Sequence, residues 1–164
     1  MSYMFQFCKN LSQLDVSKFI TNKVIDMTSL FEDCNSVTYL DVSNFDTSLV
    51  TSFERMFSGV KIRSLDLSKF NTKNVKDMSF LFYKCDYLTS ADISKFDTSL
   101  VTDMRYMFSS TNIINLDLKS FDTRNDLNMN SMFQDNYYLQ SLDVSSFDTS
   151  KVNDMYKCLI HVLT

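Results

Sequence analysis

Six carboxylates stand at one place in a repeated phrase: Asp15, Asp41, Asp66, Asp92, Asp117 and Asp143. Each follows a Leu or, at Asp92, an Ala. Two residues later comes a hydroxyl, at Ser17, Ser43, Ser68, Ser94 and Ser145, with Lys119 in that place beside Asp117. Such a row has two readings. It is a stripe that binds a cation or a basic partner, or it is a structural Asp–Ser hydrogen-bonded ladder copied along by duplication. Like charges on neighbouring strands predict raised pKa values for several of the six, and Lys119 is placed to neutralise Asp117. Acid–base catalysis needs two carboxyl groups whose surroundings push their pKa values apart. Near-identical repeat positions offer no such asymmetry.

The residue before each anchor varies: Gln13, Tyr39, Ser64, Ser90, Asn115 and Ser141. Within a strict repeat, a varied column on the same face is where a partner is read. Tyr39 is its best anchor, because aromatics dominate binding hot spots. The expected binding face is therefore Asp15, Tyr39, Asp41, Asp66, Asp92, Asp117 and Asp143, and the bland alternative is ordinary solvated surface. Cys8, Cys34 and Cys85 share another repeat position. Cys8 and Cys34 fall on neighbouring coils, where a disulfide is geometrically open. The competing reading is a small buried hydrophobe at a turn. Cys158 sits at a Met/Leu position and reads as core. With no CxxC and His161 as the single His, zinc is not expected. No nucleophile elbow, P-loop or dinucleotide fingerprint occurs, and one Gly builds no phosphate cradle. The expectation is a protein that is not an enzyme and has no cofactor or metal.

The elements that carry these residues follow from the repeat. The anchor dipeptide begins at Leu14, Leu40, Leu65, Ala91, Leu116 and Leu142, in steps of 26, 25, 26, 25 and 26 residues. Long-period self-similarity of this kind marks a stack of repeated units. The first half of a unit, as in Leu11, Leu14, Val16 and Phe19, alternates with the period of a strand. The second half, as in Val101, Met104, Met107 and Phe108, has apolar offsets of 0, +3, +6 and +7, which suit one face of a short helix. Asp26, Asp77, Asp103 and Asp154 would then occupy the first helical turn, where the dipole favours them. The predicted fold is an α/β, leucine-rich-repeat-like solenoid with one short parallel strand and one short helix per 25–26-residue coil. Residues 1–164 form one repeat domain: a partial coil at 1–10, coils starting near 11, 37, 62, 88, 113 and 139, and an incomplete last coil. At Asp126 a carboxylate stands where other coils have Val24, Val50, Val75, Val101 and Val152. A buried lone carboxylate is costly, so this coil is expected to shift and turn Leu127 inward.

Composition fits a packed stack. Of 164 residues, 45% are hydrophobic and 14% aromatic, which disfavours disorder. With Pro 0 and Gly 1, the turns must be made by Asn, Asp and Ser. A net charge of −4 gives no basic field for a nucleic-acid backbone. No stretch approaches the roughly 18 apolar residues of a membrane span, and MSYMFQFCKN does not read as a secretory signal.

The segments LDVSNFDTSLVTSFERMF (40–57) and ADISKFDTSLVTDMRYMF (91–108) resemble the repeats of BspA-like leucine-rich-repeat surface proteins, including the mycoplasma lipoprotein-type versions. The resemblance covers nearly the whole chain. It implies display at the cell surface or secretion, adhesion to host or other surface proteins, and no catalytic residues. The chain departs from ordinary leucine-rich repeats by placing Phe19, Phe45, Phe70, Phe96, Phe121 and Phe147 where Asn or Cys is usual, which predicts an aromatic column in place of an amide ladder. The chain starts inside one half-unit and stops before the next strand. Three readings follow: a fragment of a longer surface protein, a truncated or drifted gene copy, or a protein that self-associates end to end. A structural spacer is the rival to an adhesin.

Overall fold

The computed structural model describes residues 1–162. The expected α/β architecture, with a helix in every coil, does not form. Among the described residues there is no helix. The Leu-Asp segments reach strand regularity only at β1 (Ser64–Asp66) and β2 (Ser90–Asp92). These pair in parallel, with Ser64 opposite Ser90, Leu65 opposite Ala91 and Asp66 opposite Asp92.

The reason lies in where the amides go. In the segment expected to be helical, Met27, Ser29, Phe31 and Asp33 each donate a main-chain N–H to the next coil, at Ser52, Glu54, Met56 and Ser58. The alternate residues bond locally: Leu30 N–H donates to the Met27 carbonyl at 3.2 Å and Cys34 N–H to that of Phe31 at 3.2 Å. The same pattern recurs at Phe53–Gly59, Met78–Lys84, Met104–Ser110 and Met129–Asp135. Such a rung forces two residues per coil into the left-handed region. Ser29 and Asp33, Arg55 and Gly59, Phe80 and Lys84, Tyr106 and Ser110, Ser131 and Asp135 all have positive φ, between 52° and 72°. A left-handed non-Gly residue costs roughly 1–2 kcal/mol. A run this short is below the ~12–15 residues at which an isolated helix becomes stable, so the coil-to-coil bonds decide the conformation. The apolar offsets of 0, +3, +6 and +7 suit successive three-residue turns as well as a helix. The same side chains are buried either way: Val101, Met104 and Met107 are 0% exposed and Phe108 is 1%.

Three further rows hold the coils together. Phe5, Phe31, Phe57, Phe82, Phe108 and Phe133 stack in one column, with successive ring centroids 5.8, 5.8, 6.1, 5.6 and 5.8 Å apart. The continuous aromatic column is thus formed by the Phe that ends each Met-rich half. The Phe19 and Phe45 series packs beside it, with Phe45 6.4 Å from Phe31 and Phe121 6.4 Å from Phe108. A second row is a ladder of buried threonines. The Thr47 hydroxyl donates to the Asn71 carbonyl at 3.1 Å and accepts the Asn71 N–H at 2.8 Å. Thr21, Thr72, Thr98 and Thr123 do the same to Asp46, Asp97, Asp122 and Asp148. Each hydroxyl is satisfied as donor and acceptor, so its burial carries no unpaired-group cost. The third row is the corner three residues after each column Phe. Cys34 Sγ donates to the Phe5 carbonyl, Cys85 Sγ to that of Phe57 and Asn136 Nδ2 to that of Phe108.

Turning is done largely by aspartate. The Asp46, Asp97, Asp122 and Asp148 series, and the Asp26, Asp77, Asp103 and Asp154 series, each accept the main-chain N–H two residues on. These Asx turns do the work of Pro, which the chain lacks, and of Gly, which it has once. The second series caps turns, not helices.

Candidate functional site

The carboxylate row expected from the sequence lies on one face. Asp15, Asp41, Asp66, Asp92, Asp117 and Asp143 are all exposed, and the Leu or Ala beside each packs against the core. Every one of the six accepts the main-chain N–H two residues on. The donors are Ser17 at 2.8 Å, Ser43 at 2.9 Å, Ser68 at 2.9 Å, Ser94 at 3.1 Å, Lys119 at 3.1 Å and Ser145 at 3.0 Å.

That geometry reverses the expected electrostatics. Hydrogen bonds from the serine two residues on hold Asp15, Asp41, Asp66 and Asp143 below the ordinary carboxylate range. At Asp41 the like charges of Asp66 and Asp15 push the other way, and the serine bonds outweigh them. A charged group already donated to is stabilised in its ionised form. Those four therefore stay anionic. Lys119 contributes its main-chain N–H to Asp117, and no ion pair joins the two side chains among the described residues.

Tyr39 projects beside the row at 75% exposure. Gln13, Ser64, Ser90, Asn115 and Ser141 share its column and are exposed too. No backbone hydrogen bond joins segments 11–17, 37–43 and 62–68 to one another. Open grooves lie there. One of about 680 Å³ runs between Gln13–Ser17 and Thr38–Asp41. Another, of about 620 Å³, is lined by Tyr39, Lys61, Arg63, Asp66 and Tyr87. Sequence reasoning missed Lys61, Arg63 and Tyr87. A signal was present at Arg63, the one charged residue of its repeat column, whereas Lys61 and Tyr87 share a column that is already varied.

Cys8, Cys34, Cys85 and Cys158 are free thiols. Burial pushes the thiols of Cys34 and Cys158 up to about 11 and that of Cys85 to about 12, so none is poised as a nucleophile. Asp126 contradicts the expected shift. It is 0% exposed in the slot of the Val column, while Leu127 stays 43% exposed. Register is locked by Leu127 N–H donating to Thr102 and Asn153 N–H donating to Leu127, so the carboxyl is carried inward. Oδ1 accepts the Asn128 N–H at 3.1 Å and Oδ2 has no partner. Desolvation raises this carboxyl to about 7, with the nearby Asp103 adding to the rise.

Stacked coils, a regular row of exposed carboxylates and open grooves define a repeat protein with an extended surface. The chain belongs to the family described as "Mycoplasma protein of unknown function, DUF285", whose model matches residues 1–91 and again residues 79–162. This is a family of BspA-like repeats, so that resemblance holds at the level of the repeat and does not extend to a leucine-rich-repeat fold. No curated protein and no solved structure matches the chain. Among the described residues no helix is long and apolar enough to cross a membrane.

Proposed function

We propose that this chain is a non-enzymatic repeat module, displayed at the cell surface or secreted, that binds a protein partner across its Leu-Asp face. The observation that carries the reading is the row of six exposed carboxylates, each fixed by its own turn and set beside Tyr39. A preorganised surface loses little freedom on binding, which lets several weak polar contacts add up. Tyr39 supplies the aromatic anchor.

A structural spacer is the second reading. It is favoured by the Asx turns, which give every carboxylate of the row a job inside its own coil. The test separates the two. A combined Tyr39→Ala, Asp41→Asn, Asp66→Asn variant is checked for native circular dichroism, then compared with the unaltered chain for binding to host cells and to immobilised extracellular proteins. An adhesion module loses most of its binding in the folded variant. Undiminished binding, or none by either chain, leaves the spacer.

A further inference from the structure

The duplicated background makes departures from it legible. Two residues before each anchor stand Ser12, Thr38, Arg63, Thr89, Ile114 and Gln140, so Arg63 is the one charged residue of its column. It is exposed, and no carboxylate lies within ion-pair distance of it among the described residues. The nearby acids are engaged elsewhere. Asp66 Oδ1 accepts from Ser68, and both Asp86 oxygens accept from Lys61 Nζ, at 2.6 and 2.8 Å. The main chain under Arg63 is pinned, because its carbonyl accepts the Thr89 N–H at 2.9 Å and the Thr89 hydroxyl at 3.1 Å.

Two tyrosines share this place. Tyr39, 75% exposed, and Tyr87, 52% exposed, line the same groove of about 620 Å³ as Arg63. Lys61 Nζ sits 5.0 Å from the centre of the Tyr87 ring. An uncommitted guanidinium with an exposed aromatic on the coil to either side has the composition of a binding hot spot. A guanidinium fork fits a carboxylate through two parallel hydrogen bonds, which an ammonium does not match.

We propose that this groove seats a weakly acidic peptide segment of the partner, with one Glu or Asp carboxylate on Arg63 and its neighbours against Tyr39 and Tyr87. The proposal rests on the reading that the Leu-Asp face is the binding face, and names what that face takes at its centre. Charge sets a limit on the ligand. Asp66 lines the groove and stays ionised, so a single carboxylate is accommodated and a run of them is repelled.

The test uses the full chain and a labelled Ser/Ala-based decapeptide with one central Glu between two Leu, followed by fluorescence anisotropy. Its Gln counterpart should bind about tenfold more weakly. Arg63→Glu should abolish binding of the Glu peptide and bind a Lys counterpart instead, while Arg63→Lys retains part of the affinity. Replacing the single Glu with six should weaken binding. Equal binding of Glu and Gln peptides, indifference to Arg63→Glu, or no binding at roughly 1 mM peptide overturns the proposal. All replaced side chains are exposed, and thermal unfolding confirms that each variant folds. If cell binding depends on Tyr39 and the Asp row while the peptide ignores Arg63, the groove assignment fails and the face stands. If cell binding ignores the whole face, the broader reading fails, whatever the peptide does.

Discussion

On the Met-Phe side of a coil, main-chain N–H groups from alternate residues cross to the next coil, and the side chains beneath are 0–1% exposed at Met27, Leu30, Phe31, Met56 and Phe57. On the Leu-Asp side no backbone bond crosses among the first three coils, whereas bonds do cross from β1 onward, and the anchors of those three coils run from partly buried at Leu14 to buried at Leu40 and Leu65. One side is a closed ladder throughout, and the other is an open comb over its first three coils. The difference teaches where each task resides. The laddered side carries the stack and tolerates little change. The open stretch, relieved of that duty, is free to vary and carries Tyr39, and Arg63 stands at its edge, where the bonds to the next coil begin.

The largest expected effect falls on the ladder. Phe82→Ala removes a ring from the middle of the stacked column and leaves a cavity, which should cost about 3–5 kcal/mol. Urea unfolding measures it, and a loss below ~1 kcal/mol would break the distinction between the two sides. Next is Asp126→Val, which restores the column it interrupts. A folded pKa of about 7 against 3.8 corresponds to roughly 4 kcal/mol. The sign follows from the direction of the shift. Below pH 3.8 the carboxyl is protonated in both states and carries no ionisation penalty. As pH rises the unfolded chain ionises first, so stability falls until the folded pKa is passed near 7. The gain from Asp126→Val should therefore be largest at pH 8 and shrink towards pH 4, by thermal unfolding in matched buffers. A pH-independent gain would mean that the carboxyl is hydrated after all. The mildest probe is native-state hydrogen exchange. Amides of Phe31, Phe57 and Phe82 should exchange near the global limit, and those of 11–17 and 37–43 much faster. Equal protection would erase the contrast.

Much of this was legible in the sequence. The 25–26-residue step marked the coils, and the Met and Phe stripes marked the interior, because burial follows side-chain type whatever the backbone does. The helix was misread because offsets of 0, +3, +6 and +7 are shared by a helix and by consecutive tight turns. What separates them is a backbone that goes left-handed at residues such as Phe80 and Tyr106, types that give no local warning. Asp126 was misjudged for a related reason. A lone carboxylate looks able to move its coil, yet the coils on either side fix its register. The direction of the shift at Asp15, Asp41, Asp66 and Asp143 was missed because the repulsion between neighbouring strands was given more weight than the bond each carboxylate accepts from the serine of its own turn.

The corner after each column Phe has a consequence for how such a chain lengthens. Units of 25 and 26 residues differ there, where Cys34 and Asn136 head the longer connection and Val60 and Thr111 the shorter, all buried. The odd residue is absorbed at that bend, and the phenylalanines stay in file through both kinds of unit. Copying or deleting whole units in the gene would change the reach of the protein in steps of one hydrogen-bonded rung, about 4.8 Å, without any new packing solution.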